Sequence, residues 1–110
     1  MAFKAAFVVM APDGDPTRHK TTIKTAKLEL TTVLVEMMNI DQAVTVCKDL
    51  AQAHGVQSVT LCPGFSHEAV ARIQKVVGEG VAVDVARGDI PSNQTTLDIL
   101  TKEGWFPGHS

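Results

Sequence analysis

An unbroken apolar run near the start of the chain places the tightest limit on its fold. Residues 5 to 11 are Ala-Ala-Phe-Val-Val-Met-Ala, without the alternation of polar and apolar side chains that a half-exposed strand shows. The run is far shorter than the ~18 to 20 apolar residues that a membrane-spanning helix needs. The segment 12 to 16 ends it, because two prolines and a glycine cannot continue a strand ladder. We therefore predict a central strand that is covered on both faces of a sheet.

Three more strands are predicted from segments rich in β-branched residues. Residues 28–37 are rich in Thr, Val and Leu, and residues 56–62 and 81–87 alternate apolar with polar or small side chains. Glu29 in the second strand and Asp84 in the fourth indicate strands at the edges of the sheet, where charged side chains reach water.

Two helices have clear start and stop signals. Asn39 with Gln42 three residues later has the form of a capping box, and Gly55 follows the last apolar position of the predicted helix. Ser66 is an N-cap candidate for a second helix, which ends before Gly78. Both segments place apolar residues at the spacing of one buried helix face.

Two shorter helices are predicted from capping residues. Residues 16–24 could form a short helix with Asp15 as its N-cap, although Thr21-Thr22-Ile23 is poor helix material. Residues 93–103 are predicted to form a helix that is capped by Ser92 and ended by Gly104.

Helices that alternate with strands indicate an α/β fold with right-handed parallel crossovers. With the apolar strand inside and the charged strands outside, the prediction is a small three-layer domain with a mainly parallel four-stranded sheet of flavodoxin-like order 2-1-3-4. The alternative is a mixed sheet in which strands 1 and 2 are antiparallel, because the connection between them contains no clear crossover helix.

The chain of 110 residues is long enough for one core, and we assign residues 1–88 to a single α/β domain. The tail, residues 89–110, contains too many large apolar side chains for a solvated appendage, among them Trp105 and Phe106. We expect it to dock on its own subunit or on a neighbouring one. Of the two, we favour a crossing that forms a two-fold homodimer anchored by Trp105.

Charge and cysteine content exclude several classes of function. The formal charge of -2 offers no long-range attraction to nucleic acid or to anionic membranes. Two cysteines are too few for a disulfide scaffold, so we expect a cytoplasmic protein. Asp13 and Asp15 could hold a cation with Glu36, but two aspartates around a glycine are more often a turn, and we predict no metal site and no cofactor.

Ligands of an open α/β sheet bind beyond the carboxyl ends of the strands, where the strand order reverses. The predicted order places Asp13, Cys62 and the turn after Cys62 at that edge, with Arg87 at the end of the fourth strand. Gly64 would let a ligand approach the backbone, and the helix that starts at Ser66 attracts anions through its free N–H groups. The plainer interpretation is that Gly64 forms a turn and Ser66 only caps the helix.

Cys62 also allows a catalytic interpretation. The following helix start would favour a thiolate, His67 could act as its base, and His19 could face the same cleft. A small buried thiol at the end of a strand is the commoner structural situation.

Several of these residues also carry a resemblance. Residues 4–9, Pro12 and His19, together with Leu61 to Phe65 before a helix, resemble a family of small uncharacterised bacterial proteins over residues 3–87. That family has Leu-Cys-Gly-Gly-Phe-Gly where this chain has Pro63 and Ser66 in place of two glycines. The resemblance implies no assigned activity, but it directs attention to Cys62, Gly64 and Phe65. The two substitutions remove backbone freedom and one N–H donor, which would weaken an anion site.

Three functional hypotheses therefore stand. The first is a binding module that holds a small anionic molecule through Asp13, Gly64, Phe65, Ser66 and Arg87. The second is an enzyme that uses Cys62 and His67, with His19, on a small carbonyl or ester substrate. The third is a structural oligomerisation subunit without a ligand.

Overall fold

The computed structural model describes residues 1–106, which form five strands and three helices. In chain order these are β1 (Phe3–Ala11), β2 (Lys20–Lys24), β3 (Leu28–Glu36), α1 (Ile40–Gln52), β4 (Ser58–Leu61), α2 (His67–Val77), β5 (Ala82–Val85) and α3 (Ile90–Lys102). Within residues 1–106, no helix is both long enough and apolar enough to cross a membrane.

The strands form one mixed sheet in the order β2-β3-β1-β4-β5. Strands β3, β1, β4 and β5 are parallel to one another, and the edge strand β2 is antiparallel to β3. The predicted mainly parallel four-stranded sheet of flavodoxin-like type is therefore wrong, because a fifth strand is added at one edge. The antiparallel alternative for the first two predicted strands is also wrong, since β1 and β3 pair in parallel.

The fifth strand lies where a short helix was predicted over residues 16–24. All residues of β2 are exposed, so the segment has no buried side to produce a helical or strand periodicity. It is held by its ladder with β3 and by cross-strand contacts: the hydroxyls of Thr22 and Thr31 are 2.9 Å apart, and Lys24 Nζ lies 3.4 Å from Glu29 Oε1. Strand β3, predicted at an edge because of Glu29, is consequently an internal strand.

One face of the sheet carries the core. Alternate residues of the central strands point to this covered face, and they form one cluster with the buried sides of α1 and α2. The strand members that are buried are Ala6, Val8, Met10, Val33, Val35, Val59 and Leu61. Both helices therefore lie on the same side of the sheet.

The opposite face of the sheet, here called the open face, is not covered by α1 or α2. Its side chains alternate with the buried ones, and none of them is buried. They are Phe3, Ala5, Phe7, Val9, Thr21, Ile23, Leu28, Leu30, Thr32, Leu34, Ser58, Thr60, Ala82 and Asp84. The prediction that the first strand is covered on both faces is thus wrong, and the domain has two layers rather than three.

Helices α1 and α2 begin where their capping residues predict. The side chain of Asn39 accepts a hydrogen bond from Gln42 N–H at 3.1 Å, and Ser66 Oγ accepts one from Ala69 N–H at 3.1 Å. Helix α3 begins at Ile90, three residues earlier than predicted, with Asp89 as its N-cap residue and Pro91 in its first turn. Pro91 suits this place because the first helical N–H groups have no partner within a helix.

Helix α3 packs little against the rest of its chain. It contains no buried residue, and Ile90, Leu97 and Ile99 are exposed. The molecule measures 48 Å along its longest axis against 28 and 27 Å across, and a helix of 13 residues is about 20 Å long. The molecule is elongated because α3 projects from the rounded body that the sheet, α1 and α2 form.

Candidate functional site

Cys62 lies at the carboxyl end of β4, beside β1. Its N–H donates to Val8 O at 3.1 Å, which continues the ladder between the two strands by one residue. Its Sγ accepts a hydrogen bond from Met10 N–H at 3.4 Å. The thiol is half-buried and held against β1, so Cys62 fixes the start of the turn that follows.

The turn from Pro63 to His67, here called the 63–67 turn, leads into α2. Phe65 N–H donates to Cys62 O at 3.3 Å, and the Ser66 side chain caps Ala69 N–H. Within residues 1–106, no acceptor is found for the backbone N–H groups at the exposed start of the helix, which belong to Gly64, Ser66, His67 and Glu68. These donors are free to bind an acceptor from outside the chain.

Phe65 and Gly64 have different environments in this turn. Phe65 is buried and belongs to the core cluster, so its ring anchors the turn from below. Gly64 is exposed and has no positive φ. A Cβ atom at Gly64 would lie 3.6 Å from Met10 Sδ and 3.8 Å from Cys62 Sγ, which are ordinary contact distances. Neither the backbone nor the packing therefore requires glycine at position 64.

Gly14 provides the contrast. It is buried in the loop after β1, and a Cβ atom there would lie 2.3 Å from the carbonyl oxygen of Val35. The loop therefore crosses the end of β3 at a distance that only glycine permits. This packing role explains the glycine between Asp13 and Asp15 without a ligand, and the sequence alone does not indicate it.

Arg87 lies on a groove that also reaches Pro63, the first residue of the 63–67 turn. The groove has a volume of about 610 Å³ and lies between Pro63 and one side of α3, with Arg87 and Gly88 on its wall. The Arg87 side chain is exposed, and its Nε donates to Asp89 Oδ1 at 2.6 Å. No sequence spacing indicates this groove, because it depends on where α3 lies relative to the β4–α2 connection.

The loop between β1 and β2 is organised by Asp15 and His19. The carboxylate of Asp15 accepts hydrogen bonds from the N–H and the hydroxyl of Thr17, at 2.9 and 2.8 Å. The hydrogen bonds from Thr17, its hydroxyl first, lower the pKa of Asp15. His19 Nδ1 accepts from Asp15 N–H at 3.0 Å, so the neutral ring carries its proton on Nε2. Asp13 is exposed in the same loop.

The residues of the catalytic hypothesis are not gathered at one point. His19 directly precedes β2, and its carbonyl accepts from Leu34 N–H of β3. Cys62 follows β4, so β3 and β1 lie between the two residues, which corresponds to about 14 Å at the usual strand spacing. His67 is the exposed first residue of α2 and makes no side-chain hydrogen bond within the described chain. Cys62 and His19 therefore flank two strands that are not neighbours in the sheet.

The other cysteine is a core residue. Cys47 is fully buried on α1, and this burial raises the pKa of its thiol to about 12. Across the described part of the chain, no group of three or more His, Cys, Asp or Glu side chains is placed to hold a metal ion. His109 lies outside the described residues.

A larger cavity, of about 680 Å³, lies on the covered side of the sheet between α1 and the loop before β2. Lys20, Asp41 and Asp49 bring charges to it, and Val33 and Leu50 form apolar wall. Asn39 and Gln42 also line it, but the side-chain oxygens of both already accept hydrogen bonds at the start of α1, from Gln42 N–H and Glu36 N–H respectively.

Residues 3–101 match the model of a protein family that is described as a family of unknown function, DUF6506. The match extends beyond the resemblance noted over residues 3–87 and includes most of α3. No curated protein and no solved structure shows significant similarity to the chain.

Proposed function

Because the chain belongs to DUF6506, a family of unknown function, its role has to be argued from its own residues, and we propose that it binds a small anionic molecule at the 63–67 turn. The proposal concerns binding rather than turnover, since His19 precedes β2 and Cys62 follows β4, two strands that are not neighbours in the sheet. We also propose a cytoplasmic location, for which cell fractionation is the test.

The observation that carries the proposal is the glycine at position 64. Glycine costs conformational entropy on folding, and nothing in its surroundings requires it, in contrast to Gly14. A position without a side chain next to unpaired N–H groups is what close approach of a ligand to the backbone needs. Gly64, Ser66 and His67 would supply these donors, and the Ser66 side chain holds the helix start in place.

Electrostatics favour an anion at this position. The start of α2 carries the partial positive charge of its unpaired N–H groups, and Arg87 lies on the same groove as Pro63. The Arg87 side chain is exposed and reaches only Asp89, so it can turn toward a ligand without breaking a buried ion pair. Asp13 and Phe65 have smaller roles in the proposed site. Asp13 follows β1, the strand that pairs with β4, and the buried Phe65 supports the turn from the core.

Gly64→Ala is expected to lower the affinity for inorganic phosphate by roughly tenfold, equivalent to ~1.4 kcal/mol, because an added methyl group would hinder the close approach of an anion to the backbone proposed here. The same substitution should leave the fold intact and raise its stability by about 0.4–1 kcal/mol, since the unfolded chain loses freedom. Isothermal titration calorimetry with phosphate and thermal unfolding of the variant measure the two effects. Weaker folding with unchanged affinity would contradict the assignment of Gly64.

Arg87 and Arg72 form a matched pair for the charge contribution. Both arginines are solvent-accessible and contact one aspartate, Arg87 with Asp89 at 2.6 Å and Arg72 with Asp41 at 2.7 Å. Only Arg87 lies on the groove beside the 63–67 turn. Arg87→Gln should therefore weaken phosphate binding, and Arg72→Gln should leave it unchanged. Equal effects of the two substitutions would indicate general charge attraction rather than a site.

A further inference from the structure

Two apolar surfaces have no partner within residues 1–106. The first is the open face of the sheet, where Phe3 is 51% and Ile23 is 63% exposed. The second is helix α3, where Leu97 is 48% and Ile99 is 55% exposed. Single exposed apolar residues are common, but these lie together on two continuous elements.

The apolar side chains of the open face form a band on β2, β3 and β1. Ile23 pairs with Leu30, and Phe3 pairs with Leu28, so large side chains meet between β2 and β3 and between β3 and β1, while Thr21 and Thr32 pair within the same band. Polar side chains lie beyond the band, on β4 and β5, where Ser58, Thr60 and Asp84 continue the face. The apolar band is thus bordered by polar side chains on its β4 side, and polar residues at the margin of an apolar surface are usual in protein–protein interfaces.

Helix α3 needs a packing partner to be stable. Isolated helices shorter than ~12 to 15 residues are marginal in water, because most helical stability in proteins comes from tertiary packing. Helix α3 has 13 residues and buries none of them against its own chain. Trp105 and Phe106, both half-buried, follow α3 after a turn at Glu103 and Gly104, and Trp105 N–H donates to Leu100 O of the helix.

We infer that the protein forms a two-fold dimer in which α3 of each copy covers the apolar band on the open face of the other. The same chain supplies both surfaces in equal number, so an exchange leaves neither of them without a partner. The inference is independent of anion binding at the 63–67 turn.

The dimensions of the two surfaces agree. Three strands give a band about 14 Å wide, and nine-residue strands are about 30 Å long. A 13-residue helix is about 20 Å long and about 10 Å wide, and therefore fits on this band.

The expected contact area reaches the lower limit of a specific dimer. Two helix contacts of this footprint bury about 800 Å² in total, counted on both surfaces. Trp105 and Phe106 are already half-buried in their own chain, so each adds only its remaining exposed surface and the partner surface that it covers. The total is then about 1,000 Å², the least that a specific interface needs. The helices alone would not reach it, which gives the two aromatic residues a part in the contact.

The test is sedimentation equilibrium of the full chain at tens of micromolar. We expect wild-type protein at about twice the chain mass of 11.8 kDa. Leu30→Lys on the open face and the double substitution Leu97→Lys with Ile99→Lys on α3 should each give monomers, whereas Met38→Lys, at an exposed residue outside both surfaces, should remain dimeric. Thermal unfolding confirms that each variant is folded, and Phe3→Lys replaces Leu30→Lys if the latter is not.

Mixing the two monomeric variants distinguishes an exchange from two stacked sheets. In an exchanged pair, the unchanged α3 of the Leu30→Lys chain can still cover the unchanged face of the α3 variant, so association should return in part. Trp105, the only tryptophan, should shift its emission to shorter wavelength as this happens. A monomeric wild-type protein, an α3 variant that stays dimeric, or a mixture that stays monomeric would each overturn the inference.

Discussion

Gly14→Ala is expected to lower the free energy of unfolding by about 3 kcal/mol, the upper part of the usual range for overpacking. The added Cβ would lie 2.3 Å from the carbonyl oxygen and 2.7 Å from the carbonyl carbon of Val35. Both atoms belong to the backbone of β3, which is paired with β1 on one side and with β2 on the other. The strand cannot move away without disturbing a ladder, so the loop after β1 would have to leave its position.

Chemical denaturation of Gly14→Ala measures this loss, and Gly64→Ala is its matched control. Both substitutions add one methyl group to a glycine without positive φ, but the nearest atoms at Gly64 are side-chain sulfurs at 3.6 and 3.8 Å. The two variants should therefore change stability in opposite directions. A Gly14→Ala protein as stable as the wild type would show that the loop does not pack on Val35.

Leu61→Ala should destabilise the fold by about 2–5 kcal/mol, through lost burial and the cavity that remains. Leu61 is fully buried on the covered face at the end of β4, one residue before Cys62. Leu28→Ala is the matched control, because Leu28 lies on the open face of β3 and is exposed in the single chain. Urea unfolding at a protein concentration where the chain is monomeric compares the two. Similar losses for both leucines would contradict the assignment of one covered and one open face.

Helices α1 and α2 could be predicted because their signals are local. Asn39 and Ser66 cap N–H groups three residues away in the chain, and those contacts form whatever the rest of the sheet does. Strand β2 could not be predicted in this way. All its side chains are exposed, and it exists as a strand only because residues 20–24 pair with β3. Its helical prediction depended on Asp15 as an N-cap, whereas Asp15 organises a turn with Thr17 and His19.

The open face shows a second limit of sequence patterns. The run in β1 is apolar on both sides, and such a pattern indicates two faces that avoid water without indicating what covers them. In the single chain, α1 and α2 cover only one of the two faces of the sheet. At the candidate site, the adjacency of Cys62 to β1 is consistent with the predicted neighbours, since β4 pairs with β1. The groove beside Arg87 and the contact of Gly14 with Val35 depend on three-dimensional placement that no local spacing reveals.

Titration of ¹⁵N-labelled protein with inorganic phosphate, followed by NMR, tests the binding proposal most directly. The amide resonances of Gly64, Ser66 and His67 should shift in a saturable way, and that of Gly55 at the opposite end of the sheet should not. The start of α1 is the internal control, because Ile40 and Asp41 are also at a helix N-terminus but have no exposed glycine beside them. Saturable shifts confined to the 63–67 turn are the predicted result. Equal shifts at the starts of both helices, or none at either, would contradict an anion site in this protein.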